Sequence, residues 1–332
     1  MAELLIELEG IRANTAAVHG LLGRHGLQLI AVTKGCLGDP RVAGAMLAGG
    51  AAALADTRDA NLRRLREAFP GVEVQRIHLP SLAEPFEPGD VTFVSSEATA
   101  AAVAATAQAG RCRRVMVQLE TGDLREGVLP ADLLRLVDYV RRDERLELVG
   151  LATNYACFQG QPRGLRRSIE AVARGARALA AAGIPVPRVS GGNSSVLALL
   201  RAGEALPPEV TELRCGEALL LGQDALVYQP LPGCRQDACR LRAEVLEEYT
   251  KPLRGRRERR LVLGLGSQDL GAGAVRFTRA GLFDRGRSSD YLVMGVDAGG
   301  PRIGVGDFVE MIPSYSALVA AWTSPFVEVR FV

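Results

Sequence analysis

Short apolar, β-branched runs alternate with helix-like segments between residues 28 and 222. This alternation is typical of parallel strands joined by crossover helices. Eight strands are predicted, at residues 28–33, 52–55, 74–79, 91–95, 114–119, 146–153, 188–190 and 212–215. Eight strands within about two hundred residues favour a closed TIM-type (β/α)8 barrel, in the α/β class; an open doubly wound sheet is the alternative.

Helices are predicted between most of these strands. Pro130 suits a first helical position, and apolar residues from Leu133 to Val140 follow it at helical spacing. The predicted helices cover residues 40–49, 58–68, 97–109, 130–142, 163–183 and 195–202. Between the strands at 74–79 and 91–95 the sequence offers only a short loop, where a helix is hidden or missing.

The pattern changes after Gly222. Residues 223–239 are rich in proline, glycine and polar side chains, and β-like runs follow at 241–246, 260–265, 291–296 and 326–332. We therefore predict a barrel domain over residues 10–222 and a mostly-β carboxyl-terminal domain over residues 223–332. The strand-like run at 4–9 precedes the barrel and is a candidate to pair with it, although we group residues 1–9 with the carboxyl-terminal domain.

Composition argues against several classes of function. The net charge is only +2, and the one basic run, at 254–260, has no interleaved aromatic residues, so neither nucleic acid nor a membrane surface is favoured as a partner. An acidic amino terminus and the lack of a long apolar stretch argue against a signal peptide or membrane span and predict a cytoplasmic protein. The 6 cysteines and 3 histidines lack the spacing of a disulfide framework or a metal site.

Lys34 is the first candidate for chemistry. It lies at the end of a predicted strand and is one of two lysines among 40 Lys+Arg residues, the other being Lys251. A lysine can lose its proton and attack a carbonyl to form a Schiff base, which an arginine cannot do. The alternative is that both lysines are remnants of a strong arginine bias, which is our interpretation of Lys251.

Further polar residues follow other strands at the same end of the predicted barrel. The carboxyl ends of barrel strands form one mouth, where Lys34, Arg125 and Arg214 are expected to converge. Residues 190–195, Ser-Gly-Gly-Asn-Ser-Ser, precede a helix and resemble a phosphate cradle of amide and hydroxyl groups. A cofactor with both a phosphate and an aldehyde is pyridoxal 5′-phosphate. Taken singly, each motif is also explained as a helix cap or a salt bridge.

Motifs along the whole chain together carry a family resemblance. They lie at residues 31–35, 121–127, 150–157, 190–195 and 213–218 of the barrel, and at 266–269, 288–290, 306–315 and 323–325 beyond it. This set resembles the alanine racemase-like fold-type III enzymes, and is most similar to their ornithine racemase branch. The resemblance implies a pyridoxal phosphate-dependent amino-acid racemase, an isomerase, for ornithine or another basic amino acid. It also implies a head-to-tail homodimer.

The resemblance also implies roles for single residues. Lys34 would hold the cofactor as a Schiff base, Ser194 and the backbone at Gly216 would hold its phosphate, and Arg214 would contact the pyridine nitrogen. Arg125 would lie beside the phenolic oxygen and the substrate carboxylate. The full implied cofactor set is Lys34, Arg125, Asn154, Asn193, Ser194, Arg214, Gly216 and Glu217, and the implied substrate set is Arg125, Ser289 and Asp290.

Racemisation needs a second acid/base group on the face of the substrate opposite Lys34. In alanine racemases this group is a tyrosine from the second domain of the other subunit, and the matching position here is Ser267. Tyr291 is our leading candidate, because alternation along a strand would place it on the same face as Ser289. Tyr315, Cys157 and Ser267 are the alternatives, and Tyr291 is also explicable as a packing aromatic.

Two other classes of function compete with this interpretation. A non-catalytic pyridoxal phosphate carrier on the same barrel would not need the domain after residue 223. A cofactor-free Schiff-base lyase or aldolase using Lys34 would not need Arg214 and the phosphate cradle together. A metal-assisted aldolase is disfavoured, because no histidine follows His78. The acids that suit a distal substrate ammonium are Asp269, Asp290 and Glu217, and each is equally explicable as a structural partner.

Overall fold

The computed structural model describes residues 2–156, 160–253 and 256–332. The chain forms two compact units, one of residues Ile11–Lys34 and Gly38–Cys234 and the other of Met1–Gly10, Gly35–Leu37 and Arg235–Val332. The first unit contains a barrel and the second an antiparallel sheet, and each is described by itself.

The described residues form the following strands: β1 (Ala2–Ile6), β2 (Gln28–Val32), β3 (Ala53–Asp56), β4 (Val74–Arg76), β5 (Val91–Val94), β6 (Arg113–Leu119), β7 (Leu146–Thr153), β8 (Arg188–Ser190), β9 (Glu212–Cys215), β10 (Cys239–Leu253), β11 (Arg256–Leu263), β12 (Val275–Phe277), β13 (Leu282–Arg287), β14 (Leu292–Val296), β15 (Phe308–Pro313) and β16 (Val327–Phe331).

The helices are α1 (Leu8–Gly23), α2 (Pro40–Ala48), α3 (Asp59–Ala68), α4 (Glu97–Ala105), α5 (Leu133–Arg142), α6 (Pro162–Ala181), α7 (Leu197–Arg201), α8 (Glu217–Leu221), α9 (Ser267–Leu270) and α10 (Tyr315–Thr323). Short 3-10 turns occur at Lys34–Cys36, Pro130–Asp132 and Ser194–Val196.

Strands β2 to β9 are parallel and form a closed barrel in chain order. Strand β2 pairs with β3 on one side and with β9 on the other, where Ala31 lies opposite Cys215. This pairing excludes an open doubly wound sheet and confirms the predicted TIM-type barrel. All residues of β3, β4, β5 and β9 are buried, as expected for strands covered on both faces.

Local sequence explains where the barrel helices begin. Asp39 accepts a hydrogen bond from the amide of Arg41 and caps α2, while Ser96 and Thr99 form a capping box at α4. The predicted helices are present within a few residues of their expected ends. Residues 77–90, between β4 and β5, contain no helix.

Helix α1 was missed by the sequence analysis, which extended the first strand to residue 9. The strand ends at Ile6, and α1 begins at Leu8. Within α1, Ile11, Val18 and Leu22 are fully buried at helical spacing, so the periodic signal was available.

The second unit is built on one antiparallel sheet in the order β12-β15-β10-β11-β14-β13. Strand β1 pairs antiparallel with β10, Ala2 opposite Ala243, and parallel with β16, Ala2 opposite Val327. The alternative that this strand pairs with the barrel was therefore wrong. Helices α9 and α10 and strands β12, β13 and β15 were not predicted, because their short segments lack a clear period.

Ion pairs fill the amino-terminal end of the barrel. Arg188 donates to Glu212 from Nε at 2.9 Å and to Glu73 from Nη1 at 3.0 Å, and Arg114 donates to Glu73 at 2.9 Å. Glu212 is 1% exposed. Burial alone would raise the pKa of Glu73, but the attraction of Arg188 and its neighbours holds that pKa below its usual value. Arg188 and Arg114 together thus balance the charges of Glu73 and the buried Glu212.

Replacing Arg188 should therefore destabilise the chain strongly. We expect Arg188→Met to lower the free energy of unfolding in urea by about 3–5 kcal/mol, because it leaves the buried carboxylate of Glu212 without its cation. Arg135→Met, at a side chain that is 72% exposed, is the matched control and should cost less than about 1 kcal/mol. An equal decrease in the free energy of unfolding for the two variants would contradict the proposed contribution of this network to stability.

The same network has a defined pH dependence. Because the folded-state pKa of Glu73 lies below its reference value of 4.5, its contribution to stability is complete above that pH. It is lost as the pH falls through the folded-state pKa.

Candidate active site

The barrel mouth brings Lys34 and Glu217 to the ends of neighbouring strands. Lys34 follows β2 and Glu217 follows β9, and these two strands are directly paired. At Gly216 a Cβ atom would lie 2.8 Å from the carbonyl oxygen of Val32, so a side chain does not fit there without a shift. The glycine thus allows the two strand ends to approach each other.

A buried hydrogen-bond network holds the chain just before Lys34. The Thr33 hydroxyl donates to Asp56 Oδ2 at 2.6 Å, and Asp56 Oδ1 accepts from Asn61 Nδ2 at 2.9 Å and from the amide of Thr57 at 2.6 Å. Thr33 and Asp56 are fully buried, whereas the Lys34 side chain is exposed. These bonds hold the backbone just before Lys34 in place, while the Lys34 amine stays accessible.

Ser194 stands where two backbone amides converge. Its hydroxyl oxygen accepts from the N–H groups of Gly216 and Ala218, both at 3.3 Å, and the residue is 3% exposed. The side chain of Asn193 accepts from the amide of Ser195 at 2.8 Å and so caps the 3-10 turn. Hydroxyl and amide donors gathered in this way are the chemistry that binds a phosphate.

Arg214 is a buried cation on β9. Its Nη2 donates to the carbonyl of Thr153 at 2.7 Å, its Nη1 donates to the hydroxyl of Ser190, and its Cζ lies 5.0 Å from the ring centroid of Phe93. The residue is 5% exposed. Partners on several strands therefore fix the plane of the guanidinium group.

A chain of polar contacts joins the other predicted mouth residues. Asn193 Nδ2 donates to Asn154 Oδ1 at 3.0 Å, and Asn154 Nδ2 donates to Asp123 Oδ2 at 3.2 Å. Asp123 in turn lies 3.8 Å from Arg125 Nε, and Arg125 also donates to Glu126 at 2.6 Å. The structure thus brings Arg125, Asn154 and Asn193 together in one network.

Glu217 is the first residue of α8 and is half-buried at the mouth. Burial raises the pKa of Glu217 to about 7; the nearby Asp224 also raises it, while the hydrogen bond from Gln223 and the charge of Lys34 lower it. Glu217 Oε1 accepts from Gln223 at 3.4 Å. This carboxyl group is therefore able to change its protonation near neutral pH.

Sequence reasoning missed Thr33, Asp56, Phe93 and Cys215 as parts of the site. Burial raises the pKa of the Cys215 thiol to about 12, so it is neutral beneath the cradle. Asp56 is the last residue of β3. Because the carboxyl ends of the barrel strands meet at the mouth, this position would have identified Asp56 from the sequence.

In the second unit, the predicted residues Ser267, Ser289 and Asp290 lie around one turn. The hydroxyl of Ser267 donates to the carbonyl of Ser288 at 3.0 Å, and Asp290 accepts from Gln268 at 3.1 Å and from Ser289 at 2.7 Å. A Cβ at Gly266 would lie 2.2 Å from Ser289 O, so only glycine fits there. Ser267, Ser289 and Asp290 are therefore neighbours.

One premise about Tyr291 was wrong. Residues 288–291 lie between β13 and β14, where Ser288 N donates to Tyr291 O at 2.9 Å and closes a turn. Ser289 and Tyr291 consequently do not alternate along a strand, and the shared-face argument fails. Tyr291 is 48% exposed, so it is not a packing aromatic in this unit.

The other candidates in the sequence have distinct positions. Tyr315 is the first residue of α10, which Ser314 caps, whereas Cys157 lies outside the described residues. Asp269 accepts from Gly266 N at 3.1 Å and from the Ser324 hydroxyl at 2.8 Å. Both oxygens of Asp269 are thus used within its own unit, which favours a structural role over recognition of a substrate ammonium.

The described part of the chain offers neither a metal-binding cluster nor a membrane-spanning helix. No group of three or more His, Cys, Asp or Glu residues there is placed to hold a metal ion. Within the same residues, no helix has the length and apolar character needed to cross a membrane.

Comparisons with known proteins show which proteins the chain resembles. Residues 6–224 match the family described as "Alanine racemase, N-terminal domain". The lysine racemase of Thermotoga maritima is 30% identical over 98% of this chain and 97% of its own length. The ornithine racemase of Acetoanaerobium sticklandii is 26% identical over 98% of both chains.

Solved structures show the same fold. An alanine racemase from Corynebacterium glutamicum has a TM-score of 0.76 at 19% identity, covering 100% of this chain and 99% of its own. A D-threo-3-hydroxyaspartate dehydratase has a TM-score of 0.76 at 20% identity, covering 100% of this chain and 92% of its own. At such low identity, the structural similarity establishes the fold alone, which is a barrel with an added β unit.

Proposed function

The chain belongs to the alanine racemase family, and we propose that it is a pyridoxal 5′-phosphate-dependent racemase acting on ornithine or another basic amino acid. The observation that carries the proposal is Lys34 beside a cradle of hydroxyl and amide donors, at the paired ends of β2 and β9. End-to-end similarity to a lysine and an ornithine racemase supports the substrate class. Because that similarity includes the β unit, a carrier built on the barrel alone is disfavoured.

The residues present fit the chemistry of the cofactor. Ser194 and the amides of Gly216 and Ala218 suit a phosphate, and the Lys34 amine suits an aldehyde. Arg214, which cannot give up its proton, suits the pyridine nitrogen and would keep that atom unprotonated. When bound, pyridoxal phosphate supplies a conjugated ring that weakens the Cα–H bond of an amino acid.

The chain's own residues would then orient the substrate and move a proton. We assign Lys34 Nζ as one acid/base group, and Arg125, Ser289 and Asp290 to the substrate. We assign Asn154 and Asn193 to the cofactor. Hydrogen bonds from Asn193 to Asn154 and from Asn154 to Asp123 hold these two side chains in place.

Racemisation on two faces requires a second acid/base group. Tyr291 leads because its phenol is accessible, and Tyr315, Ser267 and Cys157 are the alternatives. We propose that the site is completed in a head-to-tail homodimer, with the second group contributed by the other copy.

Cofactor linkage is tested by absorption. We expect the purified chain to show a visible absorption band that is lost in Lys34→Ala, because no other amine replaces Lys34 at the mouth. Lys251→Ala, at the only other lysine, is the matched control and should keep the band. A wild-type chain that cannot take up pyridoxal phosphate would end the proposal.

Substrate class is tested by hydrogen exchange at Cα in deuterated water. We expect kcat/KM for exchange of ornithine or lysine to exceed that for alanine by on the order of a hundredfold. Alanine has no distal ammonium, so the polar groups that bind this ammonium would lose their partner. The exchange is followed by mass spectrometry. Equal rates for alanine and ornithine would argue against a basic substrate.

The second acid/base group is tested by removing one hydroxyl. Tyr291→Phe should lower racemisation by on the order of 10²–10⁴-fold while the absorption band is retained. Tyr139→Phe, on α5, is a control for loss of a hydroxyl elsewhere. Near-normal turnover of Tyr291→Phe would remove it from the mechanism and direct the same test to Tyr315 and Ser267.

A further inference from the structure

An aromatic ring reaches Arg214 from the opposite wall of the barrel. Arg214 lies on β9 and Phe93 lies on β5. Around the cylinder these strands are equally far apart in both directions, through β2, β3 and β4 on one side and through β8, β7 and β6 on the other. The Arg214 Cζ atom nevertheless lies over the Phe93 ring, 5.0 Å from its centroid. Both side chains thus extend into the barrel interior and meet there.

The hydrogen bonds of Arg214 come from a different wall. Thr153, at the end of β7, accepts from Nη2 at 2.7 Å, and Ser190, at the end of β8, accepts from Nη1. The N–H groups of a guanidinium lie in its plane, so these two bonds hold its edge. They leave the group free to tilt about the line through the two nitrogens. The Phe93 ring, which stands on the β5 side, limits that tilt.

The ring also offsets the cost of burying the Arg214 charge. Arg214 is 5% exposed and Phe93 is 2% exposed, so water screens their contact little. The face of an aromatic ring carries partial negative charge, and its attraction for a cation is strongest when both groups are desolvated. The ring supplies this attraction without a formal charge of its own. A carboxylate in the same place would also attract the cation, but it would raise the pKa of a nearby base.

The packing of Phe93 does not by itself call for an aromatic residue. The other members of its buried cluster are Val91, Met116, Val149 and Ala152. A leucine or methionine would make similar apolar contacts with them. The contact that depends on the aromatic ring is the one with Arg214.

We propose that Phe93 is a positioning residue for the cofactor, whose ring holds the Arg214 guanidinium where it keeps the pyridine nitrogen unprotonated. This inference rests on the proposed function, in which Arg214 is assigned to that nitrogen. A cation beside a basic nitrogen disfavours its protonation, and the effect weakens with distance. Without the ring the guanidinium is free to move toward β5, and the pyridine nitrogen then binds a proton more readily.

The test reads the protonation of the pyridine nitrogen directly. Full-length chains are loaded with pyridoxal 5′-phosphate that carries an isotopic label at this nitrogen. Its magnetic resonance shift is followed across the pH range in which the chain stays folded. We expect Phe93→Leu to raise the midpoint of this titration by about one pH unit, which is on the order of a tenfold rise in the protonated fraction at a fixed pH above the midpoint.

Two controls separate the ring contact from a general loss of packing. Phe86→Leu removes a ring that lies 5.1 Å from the Cζ atom of a different arginine, Arg76. Val149→Ala opens a cavity in the cluster of Phe93 but keeps the ring. Both variants should titrate at the wild-type midpoint. A shift in Val149→Ala as large as that in Phe93→Leu would overturn the role of Phe93, because packing alone would then explain it.

A fluorinated ring tests the interaction even if Phe93→Leu folds poorly. Trifluorophenylalanine at position 93 keeps the ring and nearly keeps its volume. Its fluorine atoms withdraw electron density from the ring face and so weaken the attraction for a cation. We expect the midpoint to shift upward, by less than in Phe93→Leu, whereas the same replacement at position 86 should leave it unchanged. An unchanged midpoint in the chain fluorinated at position 93 would limit Phe93 to packing and overturn the proposal.

Two further outcomes separate this inference from the proposed function. A wild type that binds pyridoxal phosphate, with the same nitrogen midpoint in Phe93→Leu, would overturn the role of Phe93 alone. A wild type that does not take up pyridoxal phosphate would overturn the proposed function and this inference together.

Discussion

The backbone pairing of β2 with β9 closes the barrel, and the arrangement of the mouth depends on it. Ala31 lies opposite Cys215 in this pairing, so the residues that follow these strands, Lys34 and Glu217, emerge side by side. Gly216 lets the two strand ends approach, because a Cβ there would meet Val32 at 2.8 Å. Hydrogen bonds between the first and last barrel strands thus assemble a site from residues about 180 positions apart in the chain.

Charge at the two ends of the barrel is handled in different ways. At the amino-terminal end, Arg188 is paired with Glu73 and Glu212, which stabilises the closed cylinder. At the mouth, Arg214 donates to the Thr153 carbonyl and the Ser190 hydroxyl. These bonds fix the position of its guanidinium group, which suits the role proposed for Arg214.

The second unit places most of its candidate residues around a single turn. Close packing at Gly266 brings the backbone of residues 266–269 against that of residues 288–291, and side-chain bonds join Ser289, Asp290 and Gln268. Tyr291 completes this turn. The cluster is built by local contacts, so it is preorganised within its own unit.

The sequence by itself determined the barrel and marked Lys34 as the first candidate for chemistry, because strand periodicity and one rare residue type are local signals. Pairing of β1 with β10 and the network of Thr33 with Asp56 were decided only by tertiary structure. Each depends on contacts between distant segments. The protonation of Glu217 belongs to the same class, since burial exists only in the folded chain.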